Sequence, residues 1–408
     1  MAERKKVRLG DIAKINQESY SPKEKWEYVN YLDTGNITMN SIDSIQYIDL
    51  SAEKIPSRAK RKVRKNSIIY STVRPNQLHY GIIKEQPDNF LVSTGFVVID
   101  VDCNMANADY IYYILTQREI TEHLQAIGEQ SVSAYPSIKP SDVEDLEVNL
   151  PSIKDQQKIV SILSAIDEKI RNNCAINNNL EQQALTLFRE YFMDCVPYGG
   201  CVPSDWNDVS LDDVCTRITD GSHYSPADAP GSPYPMYSVK DMEAYGFNPS
   251  SCKHITEEEF HKMKKNDCVP LFNDILVAKD GSYLKEIFIC SEEREEAILS
   301  SIAIFRPNTN IIIPEILLYL LKQPSVRRDV GDNYVSGSAL PRIVLKDFKK
   351  YRFMLPPMAE QIKIGSVLHA IRMQIKANTD EIRSLSALSD TLLPRLMSGE
   401  LDVSSLDC

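Results

Sequence analysis

The chain has 408 residues, 43% of them apolar and 25% charged, an ordinary globular composition that excludes a disordered or fibrous protein and carries about two to four domains' worth of core. Its 57 acidic residues outnumber 46 basic ones, for a formal net charge of −11; this excludes a basic coat that binds any polyanion but leaves room for a local basic face. Nine cysteines without a Cys-x-x-Cys pair are too sparse and too odd in number for a disulfide framework, so most are expected to be small buried apolar residues.

Met1 to Lys6 is basic, but Arg8, Asp11 and Lys14 interrupt the segment Val7 to Ile15, so no signal-peptide core follows. No apolar run approaches the ~20 residues that span a bilayer. No membrane association is expected, and the expected location is cytoplasmic.

Further along, Asn66 to Val73 and Phe90 to Ile99 are β-branched and aromatic runs of strand length, and Tyr110 to Leu124 reads as a helix. Leu150-Pro151 then introduces a long helix through proline, with Asp155 in the first turn where the helix dipole favours it. The breaker-rich stretch Asp194 to Ser204 ends it. In the remaining half Asp274 to Ala278, Ile287 to Ile289 and Ile302 to Phe305 read as strands, and Pro314 to Val326 as a helix. Leu355-Pro356-Pro357 opens a second long helix with Glu360 in its first turn.

The two halves repeat each other. Tyr135-Pro136-Ser137-Ile138 through Leu150-Pro151 returns as Leu340-Pro341-Arg342-Ile343 through Leu355-Pro356 at an offset of 205 residues, without a gap. Asn66-Ser67-Ile68-Ile69 returns as Asn273-Asp274-Ile275-Leu276, and Leu91 to Thr94 as Ile298 to Ser301, both at 207. Near the start of each half, Val7-Arg8-Leu9-Gly10-Asp11 is matched by Val209-Ser210-Leu211-Asp212-Asp213. A drift of a few residues over ordered anchors is what loop-length change between duplicated domains produces.

Both long helices carry apolar residues at alternating spacings of four and three. The first ladder runs Ile159, Leu163, Ile166, Ile170, Asn173, Asn177, Leu180, Ala184, Leu187, Tyr191. The second runs Ile364, Leu368, Ile371, Ile375, Asn378, Ile382, Leu385, Ser389, Leu392, Leu396, each 205 residues from its counterpart. That is a coiled-coil seam rather than an amphipathic surface helix, and about 40 residues at ~1.5 Å each give ~60 Å of length. Asn173 is set to face the equivalent Asn378, with Asn177 as a third polar rung; these either fix register or form a wet gap in an imperfect seam.

Seven basic residues and no acid lie between Lys54 and Lys65: Lys54, Arg58, Lys60, Arg61, Lys62, Arg64 and Lys65. They are the strongest phosphate-binding candidates, the competing reading being a solvated charged face. Arg74, Asn76, Gln77 and Tyr80 follow in a loop bounded by proline and glycine, residue types that pair with guanine and adenine edges in the major groove. The equivalent loop carries Lys279, Asp280, Ser282, Tyr283 and Lys285. For both loops, base readout and an ordinary polar loop stand side by side. No Gly-x-Gly cradle or phosphate loop is present, and no cofactor is expected. The Asp/Asn-Pro-Pro-aromatic loop needed to methylate a flipped adenine is missing, the one Pro-Pro being Leu355-Pro356-Pro357-Met358. Cys252, His254, His261 and Cys268 do not have a usual zinc spacing, so no metal site is expected.

Together the halves, the Leu-Pro-initiated helices and a set of phrases resemble the specificity subunit of type I restriction-modification systems over essentially the whole length. The phrases are Val7-Arg8-Leu9-Gly10-Asp11-Ile12, Ser57-Arg58-Ala59-Lys60, Ser71-Thr72-Val73-Arg74-Pro75, Thr219-Asp220-Gly221-Ser222-His223, Lys279-Asp280-Gly281-Ser282 and Val335-Ser336-Gly337-Ser338-Ala339-Leu340-Pro341. The resemblance implies a mixed α/β protein with two pseudo-symmetric target-recognition domains, 1–150 and 195–355. Two long antiparallel coiled-coil helices, 151–194 and 356–400, would act as spacers. It further implies double-stranded DNA, two modification subunits and two restriction subunits as partners, those partners holding all catalysis. In this frame Thr219 to Tyr224 is an Asx-type turn shaping the recognition surface, with Ser222 and His223 as DNA-contact candidates. Two other readings remain: a stand-alone nucleic-acid enzyme, and a scaffold that binds proteins alone.

Overall fold

A computed structural model of the chain describes residues 4–131 and 135–404. It divides into two compact units, one formed by Met1–Ile170 with Ser384–Cys408 and the other by Arg171–Arg383. Both boundaries fall inside the long helices, Ile153–Phe188 and Met358–Ser398. Each helix starts two residues after its Leu-Pro, with Asp155 or Glu360 in the first turn.

In the first unit the strands Ala13–Ile15, Phe96–Val101, Ile68–Ser71 and Tyr80–Ile82 form, in that order, an antiparallel sheet. A second sheet takes Gln46–Asp49, Tyr28–Leu32, Phe90–Ser93 and Ala59–Lys62, with one parallel pair between Tyr28–Leu32 and Phe90–Ser93. The run Phe90 to Ile99 is therefore two strands in two sheets, divided at Thr94-Gly95. A side chain at Gly95 would press to 2.8 Å of Thr34 Cγ2, so the sheet-changing corner needs a residue without one.

The second unit repeats this plan. Cys215–Asp220, Ile302–Pro307, Ile275–Ala278 and Ile287–Ile289 form an antiparallel sheet in the same order. Its second sheet has three strands, Lys253–Ile255, Tyr234–Tyr237 and Ala297–Ile298, again with one parallel pair. The place of the fourth is altered by an extra helix, Glu257–Lys265. Asn66 and Asn273 enter the matching strands in left-handed backbone at φ 69° and 68°, and their N–H groups donate to Ile83 O and Cys290 O. Asparagine tolerates that conformation better than most residues.

Two expected helices are each broken. Tyr110 to Leu124 resolves into Ala108–Leu115 and Arg118–Glu129, with Thr116 Oγ1 donating back to Tyr113 O at the break and Gln117 extended. Pro314 to Val326 resolves into Pro314–Leu321 and Pro324–Asn333, because Pro324 pushes Gln323 into extended backbone.

Each long helix is locked onto its own half by one glutamine. Gln156 Oε1 accepts from Asn107 N at 2.8 Å while its Nε2 donates to Pro151 O. Gln361 does the same with Ile313 N at 3.0 Å and Pro356 O. Within the second unit, Asn378 Nδ2 donates to Asn177 Oδ1 and Asn173 Nδ2 to Glu381 Oε2, both at 2.8 Å. Numbering rises along one helix as it falls along the other, so the segments run antiparallel there. The partner of Asn378 is thus Asn177 and not the equivalent Asn173, because antiparallel rungs pair by constant sum rather than constant offset. Within the first unit, Leu396 and Met397 join Ile159 and Leu163 in the core. All the seam residues are at least half-withdrawn from solvent, including Ile166, Ile170, Ile364, Leu368, Ile371, Ile375 and Ile382.

The cysteines depart from expectation. Among the described residues only Cys195 and Cys268 are buried, whereas Cys103, Cys174 and Cys201 are exposed.

Candidate nucleic-acid interface

Ala59–Lys62 is the edge strand that carries the basic run. Its outer side is covered in part by the preceding chain, since Tyr20 N donates to Lys60 O and Lys62 N to Glu18 O. Pleating then sorts the seven cations. Lys54, Arg58, Lys60 and Lys65 are exposed and have no ion pair among the described residues. Burial works to raise the Asp33 carboxyl, but hydrogen bonds from Thr34 N, Ser93 and Tyr31, with a smaller contribution from Arg58, hold it below its ordinary range.

Three members of the run are committed to the protein. Lys62 is ion-paired with Glu24 and sits over the Trp26 ring at 5.3 Å. Arg64 Nε reaches the buried Asp100 carboxylate at 3.0 Å, a group also held by Ser67 Oγ at 2.6 Å. Arg61 turns its Nε inward without a hydrogen-bond partner among the described residues, and burial pushes its guanidinium below the ordinary arginine range. Each of these three therefore has a competing role within the protein.

Beyond Ser71 the chain forms a short 3₁₀ turn, Pro75–Gln77, flanked by left-handed Arg74 and Leu78. Asn76 and Gln77 are exposed, with Asn76 N donating to Gln125 Oε1 at 3.3 Å. The Arg74 guanidinium lies over the Tyr135 ring at 4.5 Å. Tyr80 does not belong to this surface. It is 4% exposed, stacked on Tyr70 at 5.7 Å, and burial, with Tyr70 beside it, pushes its phenol up to about 12. The alternation of the strand Tyr80–Ile82 turns it into the core.

The corresponding surface of the second unit is built around buried charge. Lys279 is 4% exposed, its Nζ 2.6 Å from Asp220 Oδ2 and 3.8 Å from Asp280. Arg342 closes the row with Nε 3.1 Å from Asp280 Oδ1. Lys279 is thus a buried structural cation, which corrects its assignment as a DNA contact. Ser222 is likewise inward: it is 8% exposed, and its Oγ donates to Tyr224 O at 2.7 Å. His223 projects outward, its Nε2 3.2 Å from Asp220 Oδ2. Ser282 and Lys285 are exposed, and Tyr283 is half-buried beside Arg327.

Both loops are pinned alike by the segment that leads into the domain's last strand. Arg74 N donates to Pro136 O and Ile138 N to Thr72 O; Gly281 N donates to Pro341 O and Ile343 N to Lys279 O. Tyr135 and Arg342 were not singled out as site residues by sequence reading. The signal was present, because each lies in the repeated phrase around Pro136 and Pro341. Cys252 Sγ and His254 Nε2 are 3.7 Å apart, and among the described residues no group of three side chains suited to a metal ion occurs. Among the same residues no helix is long and apolar enough to cross a membrane.

Duplicated α/β domains, each carrying a pinned polar loop and each leading into a long helix, define a class of two-repeat α/β proteins. The chain matches the family described as type I restriction modification DNA specificity domain twice, over residues 1–182 and 203–386, and belongs to that family. It is a specificity subunit, not an enzyme, and DNA sequence specificity is its work. Among its relatives is the type I restriction enzyme HindI specificity subunit of Haemophilus influenzae, 25% identical with 98% of this chain and 100% of that protein covered. The MjaIX specificity subunit of Methanocaldococcus jannaschii is 26% identical with 98% and 94% covered. A crystal structure of a type I restriction-modification S subunit from M. genitalium shares the fold, with a TM-score of 0.58 at 15% identity, covering 97% of this chain and 96% of that one. The HsdS subunit of Thermoanaerobacter tengcongensis aligns over 98% and 97% at 22% identity with a TM-score of 0.40.

Proposed function

We propose that this chain reads a bipartite duplex site, residues 1–150 recognising one half and residues 195–355 the other. The two domains are pseudo-symmetric, and the helices at 151–194 and 356–400 pack as an antiparallel coiled coil that sets the spacing of the halves. The observation that carries this reading is the repeated pinning of one exposed loop per domain by the phrases around Pro136 and Pro341. Arg58, Lys60 and Lys65 contact phosphates. Arg74, Asn76, Gln77, His223, Ser282, Tyr283 and Lys285 lie toward base edges.

The chain recruits two modification subunits and, for cleavage, two restriction subunits, in the cytoplasm. Exposed apolar side chains on the long helices, Ile176, Ile362, Val367, Met373 and Leu388, are where partner helices would dock.

Spacer length is the direct test. Inserting four residues into the first helix near Asn177 lengthens it by ~6 Å, which is about two base pairs at ~3.4 Å each. Mapping of methylated adenines should then show the half-sites moved apart, and an unchanged spacer would refute the reading. Replacing residues 1–150 by those of a relative should alter one half-site and leave the other.

A further inference from the structure

Arg74 and Gly281 occupy the same place in the two repeats. Each is the third residue after its strand, each N–H donates to the proline carbonyl of the matching phrase, and each has left-handed backbone, φ 49° for Arg74 and 73° for Gly281. In that conformation glycine is unstrained and a long side chain is not. The second domain has the residue the backbone favours, whereas the first keeps arginine against it. Among the described residues the Arg74 guanidinium has no hydrogen bond or ion pair; it lies against the face of Tyr135 at 4.5 Å, and Tyr135 is itself 57% exposed. The counterpart of Tyr135 is Leu340, which covers Gly281 instead.

We infer that Arg74 is a sequence-reading residue of the first domain, its guanidinium fork directed at a guanine edge and oriented by Tyr135, which acts as a positioning residue. A planar fork stacked on a ring loses little freedom on binding and matches the O6 and N7 acceptors of guanine. Gly281 cannot supply such an interaction, so the two half-sites differ at the corresponding base. This inference rests on the DNA-reading function proposed above.

The test is selection from a randomised duplex library by the full-length chain assembled with its modification subunits, together with thermal melting. Wild type should yield a bipartite motif with a guanine in one half-site. Arg74→Gly should melt within about 2 °C of wild type, since the exchange relieves backbone strain as it removes one surface stacking partner. It should lose the preference for that single guanine by roughly tenfold or more. Arg74→Lys, which keeps the charge without the fork, should lose the same preference. Tyr135→Ala should weaken it and Tyr135→Phe should retain it. A motif unchanged by Arg74→Gly and Arg74→Lys overturns the inference and leaves the bipartite reading intact. So does a uniform loss of affinity with all base preferences kept, which is the signature of phosphate binding. Failure of wild type to select any bipartite motif brings down both.

Discussion

The side-chain amide of Asn378 donates to Oδ1 of Asn177 at 2.8 Å, with the two residues 7% and 3% exposed. Asn177 Nδ2 continues to Thr379 Oγ1 at 3.3 Å, and Gln374 Nε2 donates to Asn378 Oδ1 at 2.8 Å. The apolar seam is thus interrupted by a satisfied polar network that fits one register of the two helices and no neighbouring one.

Removing one partner should therefore cost more than removing both. Asn378→Leu leaves the Asn177 carbonyl buried and unmet, and should lower unfolding free energy by ~1–3 kcal/mol. Adding Asn177→Leu should restore most of that loss, because an apolar pair fills the gap without desolvated amides. Denaturant titration of the two single variants and the double decides it; additive losses would show that the pair is uncoupled.

Gly221 should be intolerant of any side chain. A Cβ there would sit 2.3 Å from Ile298 O and 2.7 Å from Leu299 O, backbone atoms held by the bridge between Ser222 and Leu299. Gly221→Ala should destabilise by about 3 kcal/mol. Gly35→Ala, where nothing lies within 4 Å, should change the melting temperature by less than about 2 °C.

The buried ion pair separates stability from binding. Lys279→Met removes the buried cation 2.6 Å from Asp220, leaving Asp220 to His223 and Asp280 to Arg342, and should cost ~3 kcal/mol in unfolding free energy. Lys285→Ala removes a side chain that is 63% exposed and 3.6 Å from Glu286, so it should leave stability within ~0.5 kcal/mol. If Lys285 binds DNA, its removal shows in affinity alone.

Salt dependence should distinguish free cations from paired ones. Substituting Arg58, Lys60 and Lys65 by alanine should reduce the slope of log affinity against log salt by ~0.9 for each phosphate that is no longer neutralised. Lys62→Ala should leave that slope unchanged, because Lys62 is already neutralised by Glu24.

The same contrast shows how far the site was legible in the sequence. The basic run stood out as composition, but that Ala59–Lys62 is a strand was not read from the sequence. Which cations remain free was not legible: Arg64 depends on Asp100, 36 residues away, and Lys279 on Asp220, 59 residues away. Tyr80 looked like a loop residue, yet one step of strand alternation placed it in the core. The helix breaks at Gln117 and Gln323 escaped periodicity, since apolar spacing continues across a break of two residues.

By itself the sequence determined the duplication, the strand runs and the two heptad-patterned helices, because periodic burial and proline starts act over neighbouring residues and leave their mark locally. Tertiary structure alone decided the partners: Asn378 with Asn177, Lys279 with Asp220, Arg74 with Tyr135 and Gln156 with the Asn107 backbone. Those choices turn on which distant groups meet inside a low-dielectric interior, where an unmatched charge or amide costs several kilocalories, and no local spacing records that encounter.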